Sequence, residues 1–298
     1  MGKIIVIGSS NTDMVVKTGR LPAPGETVIG GEFLMNPGGK GANQAVAAAR
    51  LGGDVRFVAK VGNDLFGKQA VQGFRRDGID TSPIFTDPQA ASGVALISVD
   101  EKGENCIVVA PGANARLTAE EVSQALENAG AGDTVLIQLE IPLGTVEAAV
   151  RLCAKKGIGV ILNPAPAQPL PDDLFPRLAI LVPNETEAGL LTGIPVTDAA
   201  TAEAAARQLA AKGVGHVVIT LGAKGAYSFD GQQGQLIEAP HVHAVDTTAA
   251  GDCFSGALAV AVSEGQDLPA AIDFACRAAA LSVTRMGAQA SLPYRKEL

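Results

Sequence analysis

Lys3-Ile4-Ile5-Val6-Ile7 runs directly into Gly8-Ser9-Ser10-Asn11-Thr12-Asp13, an apolar, β-branched stretch that stops at small and polar residues. A short apolar run without alternation suits a strand covered on both faces, as in a parallel sheet beneath helices. Comparable runs recur at 55–61, 134–139, 158–162, 178–182 and 216–221. Segments with apolar residues at three-to-four spacing separate most of them, at 40–51, 64–77, 118–129, 142–155, 185–192 and 200–212. This alternation predicts right-handed βαβ units, hence an α/β fold with a mostly parallel central sheet and helices on both faces. Two further helices are expected at 253–264 and 269–285, where small residues allow close packing.

Two stretches break the alternation. At 13–34, Met14-Val15-Val16 and Thr27-Val28-Ile29 read as hairpin strands, and at 92–110 so do Val94-Ala95-Leu96-Ile97 and Cys106-Ile107-Val108-Val109. Together they predict a small antiparallel sheet that covers a ligand as a lid, with an outer face able to pair with a second copy. No linker-like stretch divides the chain, so residues 1–298 are read as a single domain carrying this lid.

Composition narrows the partners. A chain of 298 residues that is 47% hydrophobic buries a large core, which excludes a disordered reading. A net charge of −8 argues against nucleic acid and anionic membranes, which require basic patches. With 4% aromatic residues and no Trp, stacking platforms for polymers are not expected; a small ligand fits better. Cys106, Cys153, Cys253 and Cys276 are scattered without metal-ligand spacing, and His241 and His243 lack a third ligand, so buried, reduced thiols and surface or satisfied histidines are expected. The Ile4–Ile7 run is too short for a signal-peptide core, and no run approaches the ~18 apolar residues of a membrane span, so a cytoplasmic location is expected.

Four segments carry candidate chemistry. In Val245-Asp246-Thr247-Thr248-Ala249-Ala250-Gly251-Asp252-Cys253, small residues lead into a helix whose free N–H groups and dipole suit an anion. Asp252 there is either a general base beside a phosphoryl group or a helix-capping carboxylate. In Asn36-Pro37-Gly38-Gly39-Lys40-Gly41-Ala42-Asn43-Gln44, Lys40 is followed by Gly41 and the glycine spacing is wrong, which excludes a P-loop. It is a sugar-facing turn or an ordinary Gly-rich one. Asn11 and Asp13 either hold vicinal hydroxyls or make an Asx-type turn, and the missing G-x-G-x-x-G spacing speaks against NAD. Asn184-Glu185-Thr186-Glu187 satisfies a capping box, and can also offer Asn184 to phosphate and Glu187 to water on a magnesium ion. Glu140, ending a buried strand, calls for a partner.

Taken in order, these segments resemble the ribokinase-like family of carbohydrate kinases over nearly the whole chain. Pro37-Gly38-Gly39-Lys40-Gly41-Ala42-Asn43 and Asp246-Thr247-Thr248-Ala249-Ala250-Gly251-Asp252 carry the resemblance most specifically. Gln138-Leu139-Glu140, Asn163-Pro164-Ala165-Pro166-Ala167, Thr220-Leu221-Gly222-Ala223-Lys224-Gly225 and Val283-Thr284-Arg285-Met286-Gly287-Ala288-Gln289 extend it. The resemblance implies a Rossmann-like kinase that transfers the γ-phosphate of ATP to O5 of D-ribose. A sibling activity on deoxyribose, a ketose or a nucleoside stays open, as does a non-catalytic sugar-binding regulator. It further implies sugar contacts from Asn11, Thr12, Asp13, Gly39, Lys40, Gly41, Ala42, Asn43 and Glu140, with Asp252 as base and Ala249, Ala250 and Gly251 as anion hole. ATP is implied against Asn184, Glu187, Thr220, Leu221, Gly222, Ala223, Lys224, Gly225, Gly251, Asp252 and Cys276, with Mg²⁺ supported through Glu187. At Cys276 the family commonly has His or Asn. K⁺ is implied at Asp246, Thr248, Ser282, Arg285, Gly287 and Ser291, largely through backbone carbonyls, and a homodimer through the lid sheet.

Overall fold

In the computed structural model, which describes residues 2–298, the strands are β1 (Ile4–Ile7), β2 (Asn11–Lys17), β3 (Glu32–Gly38), β4 (Val55–Gly62), β5 (Ile84–Asp87), β6 (Gly93–Val99) and β7 (Asn105–Ala110), then β8 (Thr134–Ile137), β9 (Gly159–Leu162), β10 (Ile180–Leu181), β11 (His216–Thr220), β12 (Ala226–Phe229) and β13 (Gly234–Ile237). The helices are α1 (Lys40–Arg50), α2 (Leu65–Arg76), α3 (Ala119–Ala125), α4 (Leu143–Lys156), α5 (Glu185–Thr192), α6 (Ala199–Ala211), α7 (Ala250–Ser263) and α8 (Leu268–Ser282).

The main sheet has the order β13-β12-β11-β10-β9-β8-β1-β4-β5. From β5 to β11 all pairings are parallel, and β12 and β13 extend one edge antiparallel. Successive side chains of a strand point to opposite faces, and the two cores show it. Ile5 and Ile7 pack with Val146, Val150 and Leu209 from α4 and α6. Ile4 and Val6 pack with Val46, Leu258 and Ala275 from α1, α7 and α8. β1 is buried throughout because both layers cover it.

A separate sheet has the order β3-β2-β6-β7, and it is mixed where a purely antiparallel sheet was expected. β2-β3 and β6-β7 pair antiparallel, but β2 and β6 run parallel, because each is the first strand of its hairpin and leaves the carboxyl end of a main-sheet strand in the same direction. Its hairpin differs from the sequence expectation: Thr27-Val28-Ile29 is not a strand, and Ile29 is 94% exposed. Gly30 and Gly31 both have positive φ, so the chain enters strand conformation only afterwards and Lys17 pairs with Glu32. Pro37 is tolerated because β3 is an edge strand. The short strands β5, β12 and β13 were not expected from the apolar runs. The strand expected to reach 139 stops at Ile137, which frees Gln138 to Glu140 from the sheet. α7 begins at Ala250, three residues earlier than its periodicity suggested, so Asp252 lies in its first turn.

Candidate active site

The carboxyl ends of β1, β8, β9, β10 and β11 all lead into segments singled out by the sequence, as expected for a site at the strand ends of a parallel sheet. Three helices start there, α1, α5 and α7. At α1, Gly39 has φ 91° and an added Cβ would come within 2.7 Å of the Asn11 nitrogen. Gly41 lies against the end of β1, where a Cβ would meet the Gly8 carbonyl carbon at 2.6 Å. This close approach brings the Lys40 N–H to Glu140 Oε2 at 3.0 Å, and the Ser9 hydroxyl donates to the same oxygen at 2.5 Å. Glu140 thereby finds its partners at a helix N-terminus. Gly41 and Ala42 donate their N–H groups to Ser9, so these two join α1 to β1 and do not face a ligand.

At α7, Ala249 is the one non-glycine residue with positive φ among the described residues, at 60°. Such a conformation is costly for a residue with a Cβ and marks local strain. No side chain caps this terminus. Ala250 N–H donates to Thr247 O and Cys253 N–H to Ala249 O, while the Gly251 and Asp252 N–H groups stay free for a ligand. A Cβ on Gly251 would meet nothing within 4 Å, so the terminus opens on space. That space is a cavity of about 190 Å³ bordered by Lys40, Asn184, Glu187, Thr220, Gly251 and Asp252.

Asp252 is 7% exposed and accepts from Asn43 Nδ2 on Oδ2 at 2.9 Å and from Gln44 Nε2 on Oδ1 at 3.0 Å. Burial pushes its carboxyl above the ordinary value despite the opposing pull of Lys40, Asn43 and Gln44. Burial pulls the Lys40 ammonium down, but Asp252, Glu140 and Glu187 outweigh it and hold Lys40 above its usual value. Asp13 is raised to about 6, by burial first and then by the charges of Glu140 and Asp252. Asp13, Lys40, Glu140 and Asp252 are thus one interacting cluster, rich in acceptors with a single cation, which suits a polyhydroxyl ligand.

Asn11 Oδ1 accepts from Asn114 Nδ2 at 2.8 Å. Asn11 and Thr12 border a different and larger cavity, about 500 Å³, against α2 and residues 288–290, which none of Lys40, Glu140 and Asp252 reaches. Size alone would therefore mislocate the chemistry.

Asn184 and Glu187 form a full capping box on α5: Asn184 N–H and Nδ2 donate to the two Glu187 oxygens at 2.9 and 3.1 Å, and Glu187 N–H donates back at 2.8 Å. Both still border the cavity, so capping and ligand contact coexist. Burial raises the Glu187 carboxyl. Beyond the α7 terminus lies a cleft of about 360 Å³ bounded by Gly222, Ala223, Gly225, His241, Phe254 and Cys276. Thr220 borders both spaces. Leu221 is buried in the core, and Lys224 donates to Thr197 O at 2.9 Å, so neither lines the cleft. Burial pushes the Cys276 thiol up to about 12, leaving a neutral, weakly bonding wall.

Asp246 accepts from Thr248 N–H and hydroxyl at 2.9 and 2.6 Å and from Gly287 N–H at 2.8 Å, tying the segment before α7 to the turn after α8. Val283 O accepts from Val245 and Asp246 N–H in the same place. Ser282 and Ser291 hydroxyls donate to Ala279 O and Ala288 O, and the Arg285 guanidinium pairs with Glu297. No hydrogen bond joins Arg285 or Ser291 to Asp246 among the described residues.

Sequence reasoning missed Ser9, Gln44, Asn114, Gln138, Asn163, His241 and Phe254. Most lie within or beside quoted motifs, but their contacts are to residues far away in sequence.

The sequence pattern of the pfkB family carbohydrate kinases matches residues 1–295. A ribokinase from Haemophilus influenzae is 45% identical over 294 residues, covering 99% of this chain and 96% of that protein. A deoxyribokinase from Salmonella typhi is 40% identical over 291 residues, covering 97% and 95%. Arabidopsis thaliana ribokinase, solved with ribose and ATP, superposes with a TM-score of 0.91 at 34% identity, covering 99% of this chain and 97% of that one.

Proposed function

Since the chain belongs to the pfkB family of carbohydrate kinases, we propose that it transfers the γ-phosphate of ATP to O5 of D-ribose, giving ribose 5-phosphate and ADP. The observation that carries this reading is Asp252: a buried carboxylate held above its usual ionisation range, beside free helix N–H groups and between an acidic sugar-side cluster and a nucleotide-sized cleft. Such a group takes the hydroxyl proton as the new O–P bond forms and the bond from the γ-phosphorus to its bridging oxygen breaks, so that ADP leaves.

Asp13, Lys40, Asn43 and Glu140 bind and orient the sugar, with Gly39 shaping the turn. Gly251 and Asp252 N–H groups and the α7 dipole stabilise the charge that builds on the transferring phosphoryl group. The cleft beside Gly222, Ala223, Gly225 and Cys276 takes the adenosine part. A magnesium ion keeps several waters and needs no all-protein cage. That fits Glu187, which is on the cavity wall with both oxygens already engaged and can reach such an ion only through water. Bound there with ATP, it would supply charge neutralisation to the phosphates. Around Asp246, Thr248, Ser282 and Gly287 the available donors are hard oxygens of carbonyls, hydroxyls and one carboxylate, which suits a potassium ion beside the anion hole.

Residues 1–298 act as one domain, with the β3-β2-β6-β7 sheet closing over the sugar as a lid. Its exposed apolar residues, Phe33, Leu96, Ile107 and Val108, pair with a second copy. A cytoplasmic location belongs to the same reading; no helix among the described residues is long and apolar enough to cross a membrane.

The test is ADP release with ribose, deoxyribose, fructose and nucleosides, each with and without K⁺. Ribose should give the highest kcat/KM; a better rate on deoxyribose, the activity named for the Salmonella relative, would replace the sugar while leaving the kinase.

A further inference from the structure

Three buried amides adjoin Asp252 and form a chain of fixed direction. Gln138 Nε2 donates to Gln44 Oε1 at 2.6 Å, and Gln44 Nε2 donates at 3.0 Å to both Asp252 Oδ1 and Asn163 Oδ1. Asn163 Nδ2 donates in turn to the Val182 carbonyl at 2.9 Å. An ionised carboxylate and a carbonyl only accept, so both ends of the chain dictate the orientation of every amide between them. Turning Gln44 around would set its Oε1 against two acceptor oxygens, with no water in reach of a side chain that is 0% exposed.

Asn43, the partner of Oδ2, has no such lock. Its Oδ1 is buried and receives no hydrogen bond, so rotating this amide breaks nothing on that side and presents an acceptor to Asp252.

We infer that Gln44 is a positioning residue that gives the two oxygens of Asp252 different tasks, Oδ1 pinned by Gln44 and Oδ2 receiving the proton of the sugar hydroxyl. This rests on the kinase reading above. A proton on Oδ1 would oppose the immovable Gln44 N–H, donor against donor. A proton on Oδ2 is accommodated when the Asn43 amide turns and its Oδ1 accepts. The transfer is balanced: the hydroxyl O–H bond breaks, the Oδ2–H bond forms, and the sugar oxygen keeps the electron pair with which it attacks phosphorus.

The charged groups that interact with Asp252 are Asp13 on β2, Lys40 on α1, Glu140 after β8 and Glu187 on α5. None is altered by changing Gln44 or Gln138, so a displaced acid limb reports the lost amide bonds. Three steady-state series test the inference, on wild type, Gln44→Met and Gln138→Leu, with ribose and ATP as substrates and Asp252→Asn as the reference that lacks the base. In Gln44→Met, kcat should fall about ten- to a hundred-fold, the scale of one hydrogen bond to a charged group, with KM for both substrates held within about twofold. The acid limb of the kcat profile should move to higher pH, because the ionised carboxylate loses a donor. Gln138→Leu, which only loosens the lock on Gln44, should move both readouts the same way by less. A folded Gln44→Met enzyme with wild-type kcat and acid limb overturns the inference. If that variant does not fold, a wild-type profile in Gln138→Leu overturns it. An inactive wild type would instead overturn the kinase reading.

Discussion

The side-chain amide of Asn43 donates to Oδ2 of Asp252 across 2.9 Å, joining residues 209 positions apart. Each lies in the first turn of its helix, α1 and α7, so the bond fastens together two of the helix N-termini that border the site. Both termini are positive ends of helix dipoles, and the carboxylates Glu140 and Asp252 lie at them.

If Asp252 is the base, Asp252→Asn keeps the shape and the Asn43 and Gln44 contacts on one side but cannot take a proton. Its kcat should fall by roughly 10²–10⁴ while the melting temperature and ATP binding stay near wild type. Turnover close to wild type would remove Asp252 from the chemistry.

Gly251 separates stability from function. Its φ is not positive and an added Cβ meets no protein atom, so Gly251→Ala should hold or raise stability, by up to about 0.5 kcal/mol from lost unfolded-state freedom. The same methyl intrudes where the phosphoryl group would sit, so KM for ATP should rise or kcat drop at least about tenfold. Unchanged kinetics in a stable variant would show that this terminus holds no anion.

Asp13 makes stability depend on pH. Its folded value, about 6, is above the ordinary 3.8, so the unfolded chain releases this proton first and stability declines as pH rises between those values. Asp13→Asn removes the decline and should stabilise the sugar-free protein by up to about 3 kcal/mol at pH 7 and by almost nothing below pH 4, as thermal melts would read. The variant should also bind ribose weakly. A melting temperature at pH 7 no higher than wild type would contradict the assigned environment.

Every residue of β7 is exposed, Cys106 included where a buried thiol was expected, because β7 is an edge strand of its sheet with no layer packed over it. Sedimentation should find a dimer for the wild type and a monomer for Val108→Arg, since a charge on an apolar face disrupts self-association. A monomeric wild type at micromolar concentration would refute the paired lid.

The sequence alone determined the alternating strands and helices, because buried parallel strands and amphipathic helices leave a periodic record of what each face touches. It also located the glycines at Gly39 and Gly251 and the acids at Asp13, Glu140 and Asp252. It gave no warning that β3 starts at Glu32, since positive φ at Gly30 and Gly31 suppresses a strand the apolar residues alone would favour. Nor did it separate Gly41 and Ala42, which face β1, from Lys40 and Asn43, which face the site. Read by local spacing alone, Asp252 and Glu187 are better explained as helix-capping residues than as functional ones. Only the tertiary structure decided that Asp252 meets Asn43 and Gln44 beside a cavity shared with Lys40 and that Gln138, Gln44 and Asn163 align behind one carboxylate oxygen. Those are contacts between the ends of distant strands and helices, and no local spacing encodes them.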